Sequence, residues 1–220
     1  MQYHISTVLI HEKFNNACEC PLCEIEKKVE EGLLYEFLND AVMEDNTRIA
    51  VNNKGFCQKH FDLLFEGQNK LSLALQISTR TDKMMDLFSR PVSPKKRADE
   101  LEGSVESCII CDYLNESMIK YYKTIAQMYQ NEPNFYKKLI ATNGFCVKHY
   151  ANLLRYSNYA GSFKKEYIDM LSNIQKRSVE AVKNDITAFC YSHDYRNAGK
   201  PLGDAETALK RIRNKLYGKK

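Results

Sequence analysis

Apolar residues along this chain recur at spacings of three and four, the signature of helices that bury one face. Ile25, Val29, Leu33, Phe37, Leu38, Ala41 and Val42 form one such stripe; Leu114, Met118, Tyr121, Tyr122, Ile125, Met128 and Tyr129 form another. Two shorter runs, Phe61-Leu63-Leu64-Phe65 and Tyr150-Leu153-Leu154, precede Gly67 and Gly161, where a helix ends or bends. Longer helical patterns follow each glycine, over roughly 70–88 and 162–189. Pro133 is placed to open a short helix reaching Ile140, and a last helix is expected from Asp204 to Leu216. No stretch alternates well enough to be a strand, and 47–51 is too short to count as one. The pattern predicts an all-α fold.

Superimposed on the helices is a duplicated ligand pattern. Cys20-Pro21-Leu22-Cys23 is followed by Gly55-Phe56-Cys57-Gln58-Lys59-His60, with 33 residues between Cys23 and Cys57. Cys108-Ile109-Ile110-Cys111 is followed by Gly144-Phe145-Cys146-Val147-Lys148-His149, with 34 residues between Cys111 and Cys146. The offsets of 88 and 89 residues describe two equivalent helical repeats, each carrying a set of three cysteines and one histidine. Ligands at i and i+3 lie on one side of a helical turn, and free N–H groups at a helix N-terminus favour thiolate over thiol. Three thiolates and an imidazole suit tetrahedral Zn²⁺, and four protein ligands leave no open position for a catalytic water. The expected metal ligands are Cys20, Cys23, Cys57, His60, Cys108, Cys111, Cys146 and His149, holding two zinc ions per chain. An iron–sulfur cluster is the alternative cofactor.

A helix of some twenty residues after Cys23 runs about 30 Å. The segment 44–55 can return about 40 Å if extended, bringing Cys57 back to Cys20. That favours a site closed within each copy, although spacing alone leaves exchange of half-sites open. Glycine allows the tight turn before Cys57 and Cys146, the phenylalanines are expected to cover the metal, and Lys59 and Lys148 to offset its −1 ligand field.

The organisation follows from the repeat: a first metal-binding repeat over 1–90, a linker over 91–104, a second repeat over 105–200 and a basic tail over 201–220. Ser89-Arg90-Pro91-Val92-Ser93-Pro94 and Lys95-Lys96-Arg97 read as a polar, proline-broken charged loop. The tail carries a net +4, equal to the excess of the whole chain. Lys210, Arg211 and Arg213 in it are therefore candidates for phosphate or an acidic partner, alongside the blander role of a solvated helix face.

The eight cysteines, with no apolar leader and no span of membrane length, suggest reduced thiols and a cytoplasmic setting. Cys18 reads as an incidental thiol, Cys190 as a core cysteine on a helix, and His193, His4 and His11 as structural or surface residues. No nucleophile elbow, phosphate loop, dinucleotide fingerprint or HExxH motif is present, so binding is expected rather than catalysis. The tyrosines 121, 122, 129, 136 and 150 offer stacking faces for nucleic acid, but at helical spacing they read as core and rim. Protein is thus the expected partner, with nucleic acid or a thiol-redox role as alternatives.

Tyr3-His4-Ile5, the block Cys20 to Glu24, Ala41-Val42-Met43-Glu44, the two GFCxKH blocks and the closing 194–201 segment, DYRNAGKP, resemble a bacterial family of unknown function over the whole chain. The resemblance implies no activity.

Overall fold

The computed structural model describes residues 5–193 and 202–219, and among these it contains eleven α-helices and no strand. In chain order they are α1 Ile5–Asn15, α2 Pro21–Leu38, α3 Asp45–Lys54, α4 Gln58–Glu66, α5 Lys70–Ser89, α6 Pro94–Glu106, α7 Ile109–Asn131, α8 Phe135–Ala141, α9 Val147–Arg155, α10 Lys164–Ser192 and α11 Ala208–Tyr217. Helix α2 is shorter than its apolar stripe suggests; Ala41–Met43 forms a separate 3-10 turn. The helix closing the chain also begins later than expected, after a 3-10 turn at Gly203–Thr207. The expected glycine breaks occur: Gly67 caps α4, and Gly161, at φ 58°, interrupts the path into α10.

The segment 47–51, too short to count as a strand, lies inside α3. One expectation is corrected. The charged loop at Lys95–Arg97 is the first turn of α6: Pro94 occupies the first helical turn, where its missing N–H costs nothing, and the Ser93 side chain accepts from Lys96 N. The two prolines start a helix here rather than keep one away. The 194–201 block and His4 lie outside the described residues.

The chain forms two compact units that do not follow the order of the sequence motifs. One comprises Met1–Glu26 with Met118–Lys220, the other Lys27–Ser117. The chain passes from the first to the second within α2 and returns within α7.

In the unit spanning 27–117, Phe37, Leu38, Val51, Leu64, Leu73, Cys108, Ile109 and Ile110 form the core. Phe37 meets Phe56 edge-on at 5.8 Å. Arg80 on α5 is 7% exposed and donates to the carbonyls of Asn52 (2.6 Å), Asn53 (3.2 Å) and Ser104 (2.8 Å). It thereby satisfies the end of α3 and fixes the turn at Gly55, whose φ of 67° suits glycine and whose Cβ would stand 3.1 Å from Arg80 Nε. The carbonyl of Gly55 in turn accepts from Ile109 N at 3.1 Å, laying the turn against the start of α7.

In the unit of 1–26 and 118–220, the corresponding loop is held from α10. Gln175 accepts from Phe145 N (3.0 Å) and donates to Phe145 O (2.9 Å), while Arg177 donates to Ile140 O (2.6 Å) and Thr142 O (3.1 Å). Buried Phe145 packs on Phe14 at 6.3 Å, so the aromatic of this motif builds core, as Phe56 does.

Candidate metal centres

All eight ligands expected from the sequence are gathered into two clusters, but with the halves exchanged. Cys20 and Cys23 meet Cys146 and His149; Cys57 and His60 meet Cys108 and Cys111. Each cluster lies wholly within one unit. Site closure within each sequence copy is therefore overturned. The physical reason is local: the Gly55 carbonyl and the Ser107 hydroxyl, which donates to Lys54 O at 2.5 Å, tie the first GFC turn to the start of α7 instead of α2.

Each cluster sits where two helix N-termini converge. Cys57 and Cys146 are the N-caps of α4 and α9, both in extended backbone. Cys20 and Cys108 precede α2 and α7, with Cys23 N donating to Cys20 O (3.1 Å) and Cys111 N to Cys108 Sγ (3.5 Å). Four sulfur-bearing turns thus bring helix-dipole positive ends to the cysteines, and at Cys108 a backbone N–H donates to the sulfur itself.

The distances between ligand atoms identify what fits. In the first site His149 Nδ1 lies 3.4, 3.5 and 3.2 Å from the sulfurs of Cys20, Cys23 and Cys146, and the sulfurs of Cys23 and Cys146 are 3.8 Å apart. In the second, His60 Nδ1 lies 3.3 Å from each of Cys57, Cys108 and Cys111, and the Cys57 and Cys111 sulfurs are 3.8 Å apart. A tetrahedron with zinc–sulfur bonds of about 2.3 Å and zinc–nitrogen bonds near about 2.05 Å has edges of about 3.8 Å and about 3.5 Å. A disulfide would need sulfurs at about 2.05 Å, and all the cysteines are free.

Behind each imidazole stands a carboxylate from α2. His60 Nε2 is 3.0 Å from Glu30 Oε1, and His149 Nε2 is 3.3 Å from Glu26 Oε2. Lys59 and Lys148, expected to face the ligand field, instead lie 2.5 Å from Glu30 and Glu26 respectively. In the second site this makes a hydrogen-bonded relay from three thiols through His60 and Glu30 to Lys59; in the first, Glu26 stands near His149 Nε2 as an ion-pair contact without a hydrogen bond. The carboxylate fixes the ring so that Nδ1 faces the sulfurs. Burial opposes ionisation of Glu26, but contacts with His149 and Lys148 prevail and hold it down to about 2. The His60 contact, against burial, lowers Glu30 as well.

Burial likewise disfavours the imidazolium, yet the sulfur and glutamate contacts raise His60 to about 10 and His149 to about 11. Burial pushes Cys111 up to about 12 with help from its thiolate neighbours, while His60 and backbone donors overcome burial to bring Cys108 to about 6. The neighbouring thiols and His149 lower Cys146, and burial raises Cys20. Such mutual dependence is what four ligand groups crowded around one ion-sized space produce.

The first site has a further layer that the sequence did not announce. Lys215, on α11, is 2% exposed; its ammonium donates to Glu19 O at 2.6 Å and to Asn143 O, and pairs with Glu19 Oε2 at 3.2 Å. It thus joins the residue before Cys20 to the loop before Cys146. Gly218, at φ 82°, ends α11 so close that its Cβ would lie 3.6 Å from Cys23 Sγ and 3.8 Å from Cys146 Sγ. Arg211 pairs with Glu19 (3.0 Å) and Asp185 (2.6 Å), and Lys219 with Glu24 (2.8 Å). Three of the tail's basic side chains are consequently engaged within the protein rather than offered to a polyanion.

Among the remaining candidates, Cys18 is half-buried beside the first site, and Cys190 is exposed rather than a core residue. His11 pairs with Glu132 at 3.1 Å, and His193 is exposed. Tyr122 is buried and stacks on Tyr156 at 5.8 Å, and Tyr129 rests 5.1 Å from buried Tyr167, so these tyrosines build core. No helix among the described residues is long and apolar enough to cross a membrane.

No curated protein and no solved structure matches the chain. A family model matches residues 1–220 in full, and the chain belongs to that family, described as a family of unknown function, DUF6062.

Proposed function

We propose that this protein binds two zinc ions as structural staples and works as a helical protein-interaction or scaffold module in the cytoplasm. The observation that carries the metal assignment is the match between the ligand-atom separations, 3.2–3.8 Å, and the edges of a zinc tetrahedron. The donor set of each site lies within 4.8 Å, room for one ion rather than for several irons with bridging sulfides. Four protein ligands favour a structural role over catalysis, and the glutamate behind each histidine supports an imidazole oriented for a metal. Free cysteines at every position accord with a reducing compartment.

Elemental analysis of anaerobically purified protein, with an absorbance spectrum on the same sample, tests this. Two zinc per chain without visible absorbance is the expected result. Iron with a visible band would replace it with the redox alternative.

A further inference from the structure

The two sites have the same ligands but not the same access to solvent. In the first, Cys20, Cys23, Cys146 and His149 are 4%, 6%, 0% and 0% exposed. In the second, His60 and Cys108 are 2% and 4% exposed, but Cys57 is only partly covered and Cys111 is open to solvent. What closes the first site is the end of the chain. A cleft does reach Cys18, Cys20 and Cys23, but Lys210, Asn214 and Lys219 from α11 and the residues after it form part of its wall. A Cβ built on Gly218 would come within 3.6 and 3.8 Å of two ligand sulfurs, and Lys215, Arg211 and Lys219 pin the segment by buried and partly buried contacts.

We infer that, of the two staples, the site of Cys57, His60, Cys108 and Cys111 exchanges its thiophilic divalent cation readily with solvent-borne ligands, whereas the site of Cys20, Cys23, Cys146 and His149 exchanges slowly because α11 shields it. The inference rests on the zinc assignment above. Ligand exchange at a four-coordinate ion needs an incoming donor to reach the metal as a protein ligand departs. At the second site that approach is open on the Cys111 side. The departing cation passes to the incoming ligand, and the thiolates it leaves take protons from water. No electron changes hands. At the first site the approach is confined to the cleft that α11 walls, so the same step is slower there, and loosening the Lys215 contacts should widen it.

Mixing the full, zinc-loaded protein with excess pyridylazoresorcinol and following colour development tests the ordering. Two phases of one equivalent each are expected, the second slower by roughly ten-fold or more. Quenching with iodoacetamide after the fast phase, followed by peptide mapping, should find Cys57, Cys108 and Cys111 alkylated and Cys20, Cys23 and Cys146 still protected. Cys190, exposed and outside both clusters, labels regardless and serves as the internal control. In Lys215→Met the slow phase should accelerate while the fast phase is unchanged. Release of both equivalents in one phase, or earlier loss of protection at Cys20, Cys23 and Cys146, would overturn the inference while leaving the zinc assignment intact. Protein that carries no zinc and takes none up on titration would overturn both.

Discussion

Lys215 reaches 2.6 Å from the carbonyl of Glu19, across 196 residues of chain, and does so while almost entirely shielded from water. The same ammonium donates to Asn143 O, so one side chain secures both loops that deliver ligands to the first site. Burying a lysine is costly unless its donors are satisfied, and here the geometry supplies two carbonyls and a carboxylate. Lys215→Met removes the charge but strands those acceptors. We expect a loss of about 2–4 kcal/mol in urea denaturation, where the exposed Lys164→Met changes stability by less than about 0.5 kcal/mol.

The glutamates behind the histidines should act on their own site alone. Glu26→Gln keeps the size of the side chain but loses the charge that orients His149; Glu30→Gln does the same to His60. Each variant should weaken one of the two zinc sites by roughly ten-fold and leave the other unchanged, measured by chelator competition. Equal weakening of both sites in either variant would show that the glutamates act through general stability instead.

Metal removal should cost more than a local rearrangement. Each site joins two helix N-termini through four ligands, and without an ion the thiols take up protons and nothing ties those helix ends together. Stripping the protein with a strong chelator should lower its helicity and its thermal midpoint together, and zinc should restore both. The effect belongs to the scale of structural zinc in small domains, about 10–16 kcal/mol of apparent binding free energy per ion in isolated fingers. Unchanged circular dichroism after complete removal would contradict the staple role.

Much of this architecture is legible in the sequence because its strongest signals are local. Three-and-four spacing places α5 to within a residue and α10 to within three, and the paired motifs mark all eight residues that come together in the two metal-capable clusters. What the sequence does not carry is which halves meet. The chain length between Cys23 and Cys57 permits a return to Cys20, and nothing in that spacing reveals that Gly55 O accepts from Ile109 N. Glu26 and Glu30 look like ordinary helix-surface carboxylates until the histidines arrive beside them. Lys215 is hidden for the same reason: in sequence it belongs to a basic run, and only long-range packing turns it inward. Even the misread loop at Lys95 follows this rule, since proline reads as a breaker or a starter according to its place in the turn.

The exchanged pairing itself can be tested without a structure. If Cys20 and Cys146 hold one ion, Cys20→Ser and Cys146→Ser each forfeit the same zinc, and the double variant should retain one zinc per chain with stability close to that of the worse single variant. Cys20→Ser combined with Cys57→Ser removes a ligand from each site, so that double variant should lose both ions, with destabilisations that nearly add. Pairing within each sequence copy predicts the reverse: Cys20 with Cys57 would share a zinc, and Cys20 with Cys146 would not. Zinc stoichiometry after gel filtration, read beside thermal denaturation of the same proteins, separates the two arrangements. Strong non-additivity between Cys20→Ser and Cys57→Ser, with one zinc retained, would refute the pairing described above.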